Sequence, residues 1–127
     1  MVIRNNAIGM QSVSSAAVSK EYEVTLTAGG DTQNTDCLNV QGLPKIAVQV
    51  ESRDNSAQVV TVLVQGAIAQ EGANPRYFSI NPQLSLLMSA NNYVFANYEI
   101  ALQYVRVQLV TAAGLAADVR VRICASQ

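Results

Sequence analysis

The chain has 127 residues, half of them apolar, with eight basic and nine acidic side chains and a net charge of −1. That balance gives no long-range attraction for nucleic acid or for an anionic membrane, which excludes both as expected partners. Histidine and tryptophan are absent, so the imidazole on which most hydrolytic and metal-dependent mechanisms rely is missing, and no cofactor, metal or catalytic site is expected.

A chain of this length fits one domain that hides about two-thirds of its unfolded surface. Charged residues make up only 13% of it, against roughly 25% in an ordinary soluble domain, which predicts that part of the surface is covered by another molecule. The opening Met1-Val-Ile-Arg-Asn-Asn6 lacks the unbroken apolar stretch of a signal peptide, and no segment approaches the roughly 20 apolar residues that span a bilayer. The expectation is a chain made in the cytoplasm and held there until a larger assembly forms. Cys37 and Cys124 are too few for a disulfide framework and are read as small, buried apolar side chains.

Residues 1–20 are nearly uncharged and rich in Ser, Ala and Asn, and read as an extended N-terminal arm, with the 13–18 stretch able to pair as an edge strand. Tyr22-Glu-Val-Thr-Leu-Thr27 alternates with period two, and Ala28-Gly-Gly-Asp31 supplies a turn. A short run at 37–40 leads into a strand at 45–52, with Ile46, Val48 and Val50 on one face and Lys45, Gln49 and Glu51 on the other. The 52–56 segment turns the chain into Gln58-Val-Val-Thr-Val-Leu-Val-Gln65, whose two apolar faces predict cover on both sides.

Gly66, Gly72, Pro75 and Pro82 rule out a long helix over 66–83 and leave a short strand at 76–80 between loops. Ser89-Ala-Asn-Asn92 predicts a hairpin turn between 84–88 and 93–96, because asparagine tolerates positive φ. A loop containing Gly114 joins 100–111 to 119–124 as a terminal hairpin. Some eight short strands predict an all-β fold, an antiparallel β-sandwich, jelly-roll-like, over residues 21–127 behind the arm.

In that hairpin Val105, Val107 and Leu109 would share a face with Val119, Val121 and Ile123, gathering Tyr104, Arg106, Arg120 and Arg122 on the other. Arginine and tyrosine bring broad, donor-bearing contact surfaces, so these four are candidate interface residues; the plainer reading is a solvated face paired with Glu51 or Glu99. Asp31, Asn34 and Asp36 loosely suggest a calcium loop, yet lack the EF-hand spacing and its terminal glutamate, which favours turn capping. Glu21 and Glu23 would share a strand face, with no aromatic sugar platform beside them, and Gly29-Gly30 precedes neither the lysine nor the helix of a phosphate loop. The aromatic residues, Tyr77, Phe78 and Tyr93 among them, fit a ligand platform or, more simply, a core or subunit contact.

The segments Tyr93-Val-Phe95, Leu102-Gln-Tyr-Val-Arg-Val-Gln-Leu-Val-Thr111 and Val119-Arg-Val-Arg-Ile-Cys-Ala125 resemble small β-sandwich virion proteins of tailed bacteriophages, most nearly capsid decoration (cement) proteins. The likeness covers about the last 80 residues and rests on a general sandwich pattern. It implies a non-enzymatic homotrimer on the capsid surface that binds and stabilises the major capsid protein lattice. Through the arm it adds Val2, Ile3, Arg4 and Ile8 to the candidate interface. The alternative is a ligand- or carbohydrate-binding β-sandwich module of a phage tail or adhesin.

Overall fold

The computed structural model describes residues 17–127 apart from 69, 72, 73 and 113. Its strands are β1 (Ala17–Leu26), β2 (Asp31–Asn34), β3 (Leu38–Asn39), β4 (Lys45–Ser52), β5 (Val59–Ala67), β6 (Gln70–Glu71), β7 (Asn74–Pro75), β8 (Phe78–Leu87), β9 (Tyr93–Glu99), β10 (Tyr104–Thr111) and β11 (Ala117–Ser126). No helix occurs among the described residues, and the chain is an all-β sandwich of two antiparallel sheets. The first sheet runs β1-β11-β4-β9; the second runs β2-β10-β5-β8, with β3 also pairing β10. The small β6-β7 ribbon stands apart from both.

The pairing is nested: β1 with β11, β2 with β10, β4 with β9, β5 with β8. Such a chain is one long antiparallel ribbon doubled at the β5–β8 connection and rolled into two layers, an arrangement compatible with a jelly roll. The alternating sequences produce it directly, because each strand turns one set of side chains inward. Val48 and Val50 of β4, Val62 and Val64 of β5, Val105, Val107 and Leu109 of β10, and Val119, Val121 and Ile123 of β11 are all buried in a common core. Each such side chain contributes on the order of 1.5–3 kcal/mol by leaving water.

Two expected hairpins do not exist. β10 and β11 lie in opposite sheets, as do β8 and β9, so the 112–116 and 88–92 segments cross between layers. The inward valines of β10 and β11 therefore meet across the core instead of side by side. Asn91 does take the expected positive φ of 61°, within a turn that changes sheet. The runs at 76–80 and 84–88 join into one strand, β8, which passes Pro82 through a register shift opposite the stretch between Val62 and Val64. Proline is tolerated there because β8 is an edge strand and the irregularity removes the need for its missing N–H.

The two-sided cover expected for β5 is found on one side. Val60, Val62 and Val64 are fully buried, whereas Leu63 is half-buried and Val59 exposed on the outer face. Strand β1 already begins at Ala17, so the last four residues assigned to the arm belong to the sandwich; residues 1–16, with Val2, Ile3, Arg4 and Ile8, lie outside the described residues.

The turn at 27–31 is closed by Asp31, whose carboxylate accepts the N–H groups of Thr27 (3.0 Å) and Thr32 (2.8 Å) and the Gln33 side-chain amide (3.0 Å). Gly29 and Gly30 supply φ values of 90° and 98°. The bond from Thr27 and then that from Gln33 hold the Asp31 carboxyl below its usual range. Stability from this group is therefore present above the unfolded value of 3.8 and is lost as pH falls through the lowered folded value. Asp31→Asn is expected to melt below the parent at neutral pH, the gap closing on acidification below pH 3.8 in paired thermal melts. Gly66 sits against the buried Leu102, where an added Cβ would come within 2.6 Å of Leu102 Cδ1. Gly66→Ala should cost about 1–3 kcal/mol in urea denaturation, and combined with Leu102→Ala, which removes the clashing atom, the two should cost less than the sum of their separate losses.

Candidate functional site

With the inward residues committed to the core, chemistry is confined to the outer faces, the edges and the ends. Tyr104 and Arg106 project from the second sheet, Arg120 and Arg122 from the first. The single arginine cluster expected from a terminal hairpin is therefore replaced by two pairs on opposite sides of the molecule. Period-two alternation identifies an outward residue and not the sheet to which it belongs.

The two pairs are in different electrostatic states. Arg120 lies between β1 and β4, opposite Glu23 and Glu51 in the ladders, and its Nε meets Glu23 Oε2 at 2.5 Å and Glu21 Oε2 at 2.7 Å. Its Nη1 is 3.7 Å from Glu51 Oε1. These carboxylates, Glu23 foremost, raise the Arg120 pKa further above its ordinary value. Arg122 Nη2 approaches Glu21 at 3.6 Å and its Nη1 approaches the Gln49 side-chain carbonyl at 3.5 Å. Glu51 is thus a partner as expected for the solvated face, joined by Glu21 and Glu23, while Lys45 stands opposite Glu99 in the β4–β9 ladder.

Arg106 has no carboxylate within ion-pair distance among the described residues. Its Nε donates to Gln65 Oε1 at 2.8 Å, and its guanidinium lies 4.0 Å from the centre of the Tyr77 ring. Thr35, Cys37, Pro75, Arg76, Tyr77 and Arg106 bound an open cavity of about 550 Å³ at the end of the second sheet. The Tyr77 hydroxyl is buried without a nitrogen or oxygen partner, beside Cys37. Burial first, then Cys37, pushes its pKa well above the phenol range, with Arg106 pulling the other way. This site was not legible beforehand, because Thr35 to Cys37, 75–77 and Arg106 come together only through pairings between strands distant in sequence: β10 with β2, β3 and β5, and β5 with β8.

Both cysteines are exposed, correcting the expectation that they are buried. Cys124 follows the outward register of Arg120 and Arg122, and its sulfur lies 3.4 Å from the Ser19 hydroxyl. Asp31 spends its oxygens on backbone and amide donors, which is the turn-capping alternative to a calcium loop, and the described residues form no group of three or more acidic, Cys or His side chains fit for a metal. Tyr77 and Phe78 lie at the end of the sandwich where β5 finishes, and Tyr93 lies at the other end beside Glu51. These three do not form one platform.

A different apolar grouping emerges instead. Edge strands β8 and β9 adjoin each other across the layers. Near that side two exposed apolar pairs stand on opposite outer faces: Val59 and its ladder partner Leu87 (52% and 49% exposed) on the second sheet, and Tyr93 and Phe95 (58% and 56%) on the first. The carboxylate and arginine network sits across the first sheet, on β1, β11 and β4. Tyr93, the ladder partner of Glu51, borders that network on the outer face of the first sheet.

No family model matches the chain, and no curated protein matches it. Solved structures do. The SPBc2 prophage-derived protein YomS superposes with a TM-score of 0.59 at 15% identity, covering 94% of this chain and all of that one. A chain in the structure of infectious bursal disease virus, Gx strain, gives a TM-score of 0.53 at 10% identity over 95% of this chain and 36% of its own length. PirA gives 0.50 at 10% identity, covering 84% and 93%. At these identities the likeness establishes a shared sandwich fold, found in a prophage-derived protein and in a virus chain about three times as long.

Removing the Arg120 charge leaves Glu21, Glu23 and Glu51 facing one another. Arg120→Met is expected to lower the melting temperature by a few degrees at low salt, the deficit shrinking in 1 M NaCl, where screening acts within about 3 Å. Equal deficits at both salts would assign the arginine a packing role only.

Proposed function

We propose that this chain is a non-enzymatic structural protein of a virus particle, a capsid decoration subunit that binds and stabilises the lattice of the major capsid protein. The observation that carries this reading is the match of nearly the whole chain to a prophage-derived protein and to part of a virus chain. The sequence pattern of β9 to β11 supports it through its resemblance to decoration proteins, and the low charge content supports a surface made for contact. Clamping a lattice asks for repeated modest contacts multiplied by symmetry, and no covalent chemistry.

In this reading the chain acts as a homotrimer whose copies meet through edge strand β9, where Tyr93 and Phe95 stand exposed on the outer face of the first sheet. Large apolar side chains exposed together on one face are a usual mark of a protein contact. The arm residues Val2, Ile3, Arg4 and Ile8, together with Tyr104, reach the capsid surface, and the Glu21–Arg120 half stays in water. The location is the outer capsid surface.

Light scattering after size exclusion should give three times the chain mass across a concentration series, and Tyr93→Ser with Phe95→Ser should reduce it to the monomer. The parent should also pellet with capsids of the virus that carries its gene, prepared without this protein. Failure to pellet would remove the decoration role; a parent that is monomeric throughout would remove the trimer.

A further inference from the structure

Of the three outward arginines Arg106, Arg120 and Arg122, Arg106 is the one held in place without a counter-charge among the described residues. Ser79 and Gln65 form a relay behind it: the Gln65 amide reaches Ser79 Oγ at 3.4 Å and its carbonyl accepts from Arg106 Nε at 2.8 Å. The Tyr77 ring covers one face of the guanidinium at 4.0 Å. An edge contact and a face contact together fix the plane of the fork, leaving its terminal N–H groups for an in-plane acceptor. The Tyr77 ring lines the same cavity, while its hydroxyl is buried against Cys37 and closed to solvent.

We infer that the cavity between Tyr77 and Arg106 binds a single carboxylate, taken in the plane of the Arg106 guanidinium. A guanidinium is a donor that wants an acceptor without protons of its own, and a planar carboxylate matches the fork better than a point anion does. A volume of about 550 Å³ accommodates the group with several carbons behind it. Arg76, engaged in an interaction of its own, adds positive potential at the rim. This inference is independent of the virion reading, since a free carboxylic acid and an acidic side chain of a protein partner present the same group.

The test is an NMR titration of the full chain at constant ionic strength with acetate, with a doubly capped peptide carrying one glutamate, and with inorganic phosphate. Saturable shifts at the Arg106 Nε–H and at the Cys37 and Tyr77 amides are expected with the first two. Arg106→Gln and Arg106→Lys should each weaken binding by about tenfold or more, the lysine because the fork is lost although the charge remains. Tyr77→Phe, which keeps the stacking ring, should weaken it less. Tighter binding of the peptide than of acetate would identify a protein side chain as the source; equal binding would identify a free carboxylic acid. Shifts that never saturate, binding unchanged in Arg106→Gln, or phosphate binding more tightly than either carboxylate would overturn the inference.

Discussion

The fold depends on one constraint: inward side chains from two sheets must fill a common layer while successive long strands pass from one sheet to the other. Val105, Val107 and Leu109 supply one wall of that layer and Val119, Val121 and Ile123 the opposite wall, although only the 112–116 connection separates them in sequence. The connection is anchored from outside: the Gln58 side chain donates to the carbonyls of Leu115 (2.5 Å) and Ala116 (3.2 Å), and Gly29 N–H bonds Gly114 O at 2.8 Å. Tying the β1–β2 and β10–β11 connections together at one end keeps the layers in register. The outer faces then inherit their chemistry without choice.

That inheritance explains why similar arginines behave differently. Arg120 sits on a central strand flanked by β1 and β4, both of which place glutamates at the facing ladder positions. Arg106 also sits on a central strand, yet its neighbours β2 and β5 bring Gln33, Asn34, Leu63 and Gln65, and no acid reaches its ladder position. Neutral partners can orient a guanidinium but cannot cancel its charge. The first sheet therefore carries a self-satisfied network that salt can weaken, and the second a cation whose compensation must come from solvent or a ligand.

Strand positions and buried faces were legible because period-two alternation is strong in 45–52 and 104–111, and both segments form strands with the inward residues expected. Sheet membership was not legible. Five residues between β10 and β11 suffice equally for a hairpin or for a crossing between layers, and alternation reads the same either way. A hairpin would merge the two arginine pairs into one, and a crossing separates them. Cys124 is a different case: it shares the outward register of Arg120 and Arg122, which exposes its sulfur against the general tendency of cysteine toward burial. The Tyr77–Arg106 cavity needed three segments brought together by pairings that no local pattern encodes.

The four sheet edges carry the argument from fold to association. An exposed edge offers unpaired backbone groups to any passing strand, and proteins blunt it by charge, shortness, proline or irregular register. Edge β1 displays Lys20, Glu21 and Glu23; edge β2 has only four residues; edge β8 carries Pro82 and a register shift. Edge β9 has none of these over Tyr93 to Tyr98, where its outward side chains include two exposed aromatics and its sole charge, Glu99, stands at the far end. Three edges are guarded by three separate devices and the fourth is left open. An unguarded edge with apolar side chains is a template for pairing with another strand. The distribution of guards thus leaves β9 as the edge of the sandwich least protected against such pairing.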